Sequence, residues 1–120
     1  MAAVTTTGSK PVSGAGDAVL ATWALTTADH TGDALTGYED YPDVTFQCLG
    51  TFGGATVVLE GSLDGGTTYA SLTDPQGNAI SKTSAALEGV SEAVPRMRPR
   101  LSVVGVGASI TVIVYARKAK

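Results

Sequence analysis

The feature that most constrains the fold is a series of short apolar segments, rich in β-branched residues, that glycine, proline and aspartate separate. The segments recur about every 8–12 residues, a spacing typical of antiparallel sandwiches and small barrels. The chain contains 15 glycines in 120 residues and few long helix-forming side chains. A helical bundle or coiled coil is therefore not expected.

The strongest strand signal is the segment Ile110–Tyr115 near the end of the chain. Its even-numbered residues face one way, and Ile113 and Tyr115 face the other, so both faces contain large apolar side chains. This pattern predicts a central strand, or a strand with one face against another subunit. Further strands are predicted over residues 19–25, 44–49, 55–61, 67–72 and 96–104.

The segment Asp74–Asn78 predicts a turn, because Pro75 restricts φ and Gly77 permits positive φ two residues later. Residues 83–94 favour a strand followed by a loop, with one short helix as the alternative. Gly89 in the middle of this segment weakens the helical alternative.

These patterns together predict an all-β fold. We expect an antiparallel, jelly-roll-like β-sandwich of seven or eight short strands with an extended N-terminal arm. Residues 1–17, mostly threonine, serine, glycine and alanine, are predicted to form a flexible or extended arm. Residues 18–120 are predicted to form a single β-sandwich domain, which suits the chain length.

Charge is distributed unevenly along the chain, whose formal net charge is −3. Residues 1–92 contain all eleven acidic residues and two basic ones, whereas residues 93–120 contain six basic residues and no acid. This asymmetry either orients the protein on a charged partner or cancels where strands of the two segments lie side by side. The overall sign does not favour nucleic-acid binding.

Targeting signals are not evident. The N-terminal stretch lacks the basic and apolar regions of a secretory signal, and no apolar run approaches the ~18 residues of a membrane span. We expect a product that folds in the cytoplasm and does not bind membranes.

Residues for catalysis are scarce. The single cysteine, Cys48, alternates in phase with Val44 and Phe46 and is predicted to be a buried, unreactive thiol. The single histidine, His30, lies in a polar loop. Carboxylates between positions 29 and 43 are interpreted as a solvated loop, although calcium binding or glycoside hydrolysis are weaker alternatives. We expect no enzymatic activity, no cofactor and no metal.

The segment from Arg96 to Val104 contains three arginines, Arg96, Arg98 and Arg100, that alternate with apolar residues and so share one face. Pro95 and Pro99 indicate an edge strand. The arginines are interpreted either as charges that protect a solvated edge or as a docking face for partner carboxylates. Phosphate or nucleic-acid binding is less favoured because no aromatic residue alternates with them.

The eight residues Ser62–Tyr69, Ser-Leu-Asp-Gly-Gly-Thr-Thr-Tyr, resemble the Asp-box of sialidase-type propellers and other carbohydrate-active proteins. The resemblance implies a structural hairpin. Asp64 is expected to accept hydrogen bonds from amides of the turn, and Gly66 to take a positive φ. A propeller requires several copies, and this chain has one.

The order of segments from Gly53 to Tyr115 resembles small β-sandwich virion proteins of tailed bacteriophages, especially capsid cement or decoration proteins. Residues 53–69, residues 72–80, the arginine segment and the closing strand carry this resemblance. It implies a non-enzymatic protein on the outer capsid surface, assembled in the host cytoplasm. The implied partner is the major capsid protein, and the implied assembly is a homodimer or homotrimer. Lys10 and Pro11, in the arm, join the arginines as candidate partner-binding residues.

Two alternatives remain. The first is a tail or head–tail structural protein of a phage. The second is a carbohydrate-binding β-sandwich module, for which Tyr38 and Tyr41 would supply the sugar platform.

Overall fold

The computed structural model describes residues 5–10, 18–36 and 41–117, with residues 5–10 described by their backbone. These ranges contain nine strands and no helix, so the all-β prediction is confirmed. No helix among the described residues is long and apolar enough to cross a membrane. The strands are β1 (Thr5–Lys10), β2 (Ala18–Thr26), β3 (Asp43–Thr51), β4 (Thr56–Ser62), β5 (Ala70–Ser71), β6 (Ser81–Lys82), β7 (Ala86–Val90), β8 (Arg96–Val103) and β9 (Ser109–Arg117).

The strands form two antiparallel sheets. The larger sheet has the order β1-β2-β9-β3-β7, which places β9 at its centre, as one of the two predictions for this segment required. In the smaller sheet, β8 pairs along one edge of β4, and β5 and β6 pair along the other. The prediction of an antiparallel β-sandwich is confirmed.

Residues 30–35 complete a jelly-roll order although they form only isolated bridges to β8, at Thr31 and Leu35. We therefore count eight elements along the chain and leave out β1: β2 is the first, residues 30–35 are the second, and β5 and β6 together are the fifth. In this numbering the strands of the larger sheet lie in the order 1-8-3-6. The smaller sheet then has the order 2-7-4-5, so each sheet mixes elements from both halves of the chain. This is the connectivity of a jelly roll.

One apolar core lies between the sheets. Trp23 and Phe46 enter it from the larger sheet, and Leu59 and Met97 enter it from the smaller one; all four side chains are fully buried. Burial of such side chains contributes about 1.5–3 kcal/mol each, which makes this core the main source of stability.

The outer edge of β8 is covered by residues 30–35. Backbone N–H groups of Gly32 and Leu35 donate to the carbonyls of Pro99 and Met97, at 2.9 and 2.7 Å. The nitrogen of Pro99 faces this edge, so its missing hydrogen leaves the pairing with β4 intact. β8 is therefore the last named strand on its side of the smaller sheet, as predicted. Its outer edge is nevertheless not open to solvent, because residues 30–35 bond to it.

The predicted turn at Asp74–Asn78 is present. Asp74 Oδ1 accepts hydrogen bonds from the backbone N–H groups of Gln76 and Asn78, both at 3.0 Å, and Gly77 has a φ of 86°. The N–H of Asn78 is the main reason why the pKa of Asp74 is lowered.

Three segments differ in detail from the predictions. The strand predicted over residues 67–72 is limited to Ala70–Ser71, because the preceding residues bond within their own turn. In the segment 83–94, strand and loop are present and the alternative helix is wrong. Thr5–Lys10, within the predicted arm, pair with β2 as β1, and the rest of residues 1–17 lies outside the described residues.

Candidate protein-interaction site

The three candidate arginines project from the outer face of the smaller sheet. Alternation along β8 places Arg96, Arg98 and Arg100 half-buried on that face. The residues between them point into the core and are buried: Met97, Pro99 and Leu101. The sequence prediction of two opposite faces is thus confirmed, and the rigid core side fixes the arginine backbone in place.

Glu60 on β4 is the partner of two of these arginines. The Nε atoms of Arg98 and Arg100 donate to the same oxygen, Glu60 Oε1, at 2.9 and 3.2 Å. The side chain of Glu60 is only 6% exposed, whereas those of Arg98 and Arg100 are 23% and 37% exposed. The carboxylate is therefore enclosed by the guanidiniums, which remain accessible to a partner.

Tyr69 holds Arg98 from a second direction. The guanidinium carbon of Arg98 lies 3.8 Å from the centre of the Tyr69 ring, within the range of a cation–π interaction. An arginine that an acid and an aromatic ring both position loses less side-chain entropy when a ligand binds.

The turn that presents Tyr69 is stabilised by its own side chains. Asp64 Oδ1 accepts hydrogen bonds from the backbone N–H of Thr68 and from the Ser62 hydroxyl, at 2.8 and 2.7 Å. These two donors lower the pKa of Asp64, with the Thr68 N–H the larger cause. Gly66 has a φ of 93°, and its N–H donates to Ser62 Oγ at 2.9 Å. The local chemistry predicted from the Asp-box resemblance is present.

Arg96 lies at the end of this face, beside the same turn. Its Cδ is 3.3 Å from the position that a Cβ on Gly66 would occupy, so the glycine leaves room for the arginine stem. Among the described residues, no carboxylate lies within salt-bridge distance of Arg96.

We call the five residues Arg96, Arg98, Arg100, Glu60 and Tyr69 the arginine face. Three guanidiniums and one carboxylate give it a formal charge of +2, although the whole chain is negative. Each bond to Glu60 uses a single Nε–H, and each guanidinium has further N–H donors on its Nη atoms. The arrangement is suited to binding carboxylates of another molecule.

The remaining candidate residues lie elsewhere. Lys10 is the last residue of β1, whose backbone pairs with Ala18 at the edge of the larger sheet, and Pro11 lies outside the described residues. The structure therefore places Lys10 in the sheet opposite the arginines. Sequence reasoning missed Glu60 as the organising residue. A lone carboxylate within the apolar run 57–60 was the available signal.

The uneven charge distribution partly cancels in space. Arg98 and Arg100 pair with Glu60, and Arg117 pairs with Asp43 at 2.7 Å. Of the two interpretations of the asymmetry, side-by-side strands of opposite charge account for these three arginines. At the arginine face, three arginines share one carboxylate, so a local excess of positive charge remains there.

Groups for nucleophilic or metal chemistry are not assembled in the described part of the chain. Cys48 is buried as predicted; burial raises the pKa of its thiol, whose sulfur lies 3.6 Å from the Ser84 carbonyl oxygen. His30 is exposed on its loop. No group of three histidine, cysteine, aspartate or glutamate residues within the described ranges is placed to hold a metal ion.

A cleft of about 360 Å³ lies next to the arginine face, between the Ser62–Tyr69 turn and residues 92–94. Leu72 and Val94 supply part of its apolar lining, and Asp64 and Glu92 supply carboxylates. No aromatic residue is among the described residues that line it. Tyr41, one of the two candidate sugar-binding tyrosines, is half-buried and packs against the core, and Tyr38 lies outside the described residues. The geometry of Tyr41 does not favour the sugar platform.

Comparison of the chain with protein-family models, curated proteins and solved structures found no match.

Proposed function

We propose that this protein is a non-enzymatic structural protein of a tailed-phage virion. In this role it decorates the outer surface of the capsid and stabilises it by binding the major capsid protein. The order of segments that resembles cement proteins motivates the proposal. The jelly-roll sandwich is a suitable scaffold for it, because a rigid sheet presents a binding face without a conformational change.

The observation that carries the proposal is the arginine face. Its excess charge of +2 is complementary to an acidic surface, and Glu60, with Tyr69 against Arg98, positions two of its guanidiniums before any partner arrives. A partner surface that presents carboxylates would form charge-assisted, partly bidentate hydrogen bonds with these arginines. The binding is expected to weaken with rising salt, because the arginines are partly exposed.

The decisive experiment is co-sedimentation of the purified protein with mature shells assembled from the major capsid protein of the same source. A decoration protein that occupies repeated sites should bind saturably, with on the order of hundreds of copies per shell. Absence of binding by folded protein would contradict the proposal and favour a tail or head–tail role.

The same assay tests the arginine face through Arg96→Glu. Charge reversal at Arg98 or Arg100 would place a second carboxylate beside Glu60 and disturb the sheet, whereas Arg96 pairs with no carboxylate among the described residues. We expect Arg96→Glu to weaken shell binding by about 10-fold at low salt. The control is Lys118→Glu, which changes the net charge equally at the sequence position after the end of β9, a strand of the larger sheet. Equal effects of the two substitutions would remove the arginine face from the proposal.

A further inference from the structure

We infer that the outer face of the larger sheet binds a second copy of this chain. This inference goes beyond the proposed function and does not depend on it. We define the outer sheet face as the residues of β2, β9, β3 and β7 that point away from the core. Its large apolar members are Leu20, Leu49, Leu87, Ile113 and Tyr115.

The five apolar side chains form a continuous stripe across four strands. Leu20 lies directly opposite Tyr115 in the β2–β9 pairing, and Ile113 is the next residue on the same face of β9. Leu49 is the diagonal neighbour of Ile113 across β3, and Leu87 on β7 is in turn the diagonal neighbour of Leu49. Direct and diagonal pairs on one face of an antiparallel sheet are within side-chain contact.

These side chains are not fully covered within the described chain. Leu87 is 67% exposed and Leu49 is 39% exposed, while the other three are half-buried. Both faces of β9 were expected to need cover, and the core covers only one of them. A sheet face with an apolar stripe of this length is a typical binding surface.

Charge on this face is confined to one end. Among the described residues of the face, the only charged side chains are Asp43 and Arg117, which neutralise each other at 2.7 Å. Threonines fill much of the area between the apolar residues. A strongly charged partner surface would lose hydration here without gaining a counter-charge, so the partner must also be apolar and uncharged.

A second copy meets this requirement through the same face. A two-fold axis places identical patches together, so an uncharged apolar stripe is matched by itself. Three strands of nine residues and one of five, spaced about 4.8 Å apart with a rise of about 3.4 Å per residue, give the face a flat footprint of roughly 500 Å². A stable interface buries about 800 Å² of accessible surface per partner, and a corrugated face exceeds its flat footprint.

Pairing through this face leaves the arginine faces on the two outer sides of the dimer, because each lies on the opposite sheet of its own sandwich. The dimer would therefore present two acid-binding faces that point in opposite directions. A dimer of this kind is bivalent toward an acidic partner.

The test is sedimentation velocity and light scattering of the full-length protein over a wide concentration range. The expected mass is twice the 12.1 kDa chain. The variant is Leu87→Lys, and its matched control is Leu63→Lys, an equally drastic change at a leucine that is 79% exposed on the Ser62–Tyr69 turn. Because each substitution occurs twice in a two-fold dimer, we expect Leu87→Lys to raise the dissociation constant by ~100-fold or more.

The leucine control should leave the dissociation constant within about threefold of the wild-type value, since Leu63 is off the outer sheet face. Circular dichroism establishes that both variants are folded, and Leu49→Lys replaces Leu87→Lys if the latter is not. A wild-type monomer at all concentrations would overturn the inference. So would a trimer, or a dimer that Leu63→Lys weakens as strongly as Leu87→Lys.

Discussion

Neutralising Glu60 tests whether one buried carboxylate organises the arginine face. In Glu60→Gln the shape of the side chain is retained, and one amide oxygen replaces the carboxylate oxygen that two guanidiniums share. Arg98 and Arg100 then remain close together without a counter-charge. We expect the variant to fold with lower stability.

The magnitude follows from the two bonds. A hydrogen bond that involves a charged group contributes about 1.5–3 kcal/mol, and a neutral one about 0.5–1.5 kcal/mol, so each bond loses about 1 kcal/mol on substitution. The two bonds at 2.9 and 3.2 Å therefore predict a loss of about 2 kcal/mol. For 120 residues this corresponds to a decrease in Tm of about 8 °C.

Urea denaturation at low and high salt measures this loss. Salt should recover part of it, because the repulsion between the two partly exposed arginines is screened. The control is Asp43→Asn, which removes an ion pair whose members are 48% and 53% exposed. The control should cost less than about 0.5 kcal/mol.

The reasoning would be refuted if Glu60→Gln were as stable as the wild type, or if it cost no more than the Asp43→Asn control. A second readout concerns binding. Removal of the negative charge raises the charge of the arginine face, while the amide oxygen and Tyr69 still position the guanidiniums. The folded variant should therefore bind an acidic partner more tightly at low salt than the wild type does.

Three further predictions concern the scaffold. Gly32→Ala should lower the free energy of unfolding by about 2 kcal/mol in urea denaturation, because a Cβ there would lie 2.6 Å from Trp23 Cδ1. The control Gly89→Ala, whose Cβ would lie 3.5 Å from its nearest neighbour, should be nearly neutral. Equal losses of stability in the two variants would contradict this prediction. The pKa of Asp74 in the folded protein is lowered, so its contribution to stability is present above the unfolded value of about 3.9 and is lost as the pH falls through the folded pKa. Asp74→Asn should therefore reduce the loss of unfolding free energy between about pH 5 and pH 3. An unchanged dependence of stability on pH would contradict this prediction. Cys48 should react with a thiol reagent only after unfolding, since burial raises its pKa and blocks access; rapid labelling of native protein would show that the thiol is accessible.

Local patterns in the chain were sufficient for the strands and turns. Alternation along 96–101 predicted which side chains of β8 face the core, because neighbouring side chains in a strand point to opposite faces. The turn at Asp74–Asn78 was predictable because its hydrogen bonds join residues within four positions of one another.

Long-range pairings were not accessible in this way. β1 escaped prediction because its residues are small and polar, and only the neighbouring strand β2 makes them a strand. Residues 30–35 lack a strand pattern but complete the jelly-roll order, because the open edge of β8 supplies hydrogen-bond partners for them.

The residues of the candidate site likewise fall into those that local sequence patterns predict and those that only long-range contacts bring together. By itself, the sequence determined that Arg96, Arg98 and Arg100 share one face, since that depends only on the two-residue period of a strand. Only the tertiary structure decided that Glu60 and Tyr69 join them, since these residues are separated from Arg98 by 38 and 29 positions. Strand register and sheet packing create such contacts, and both depend on the whole core rather than on any local segment.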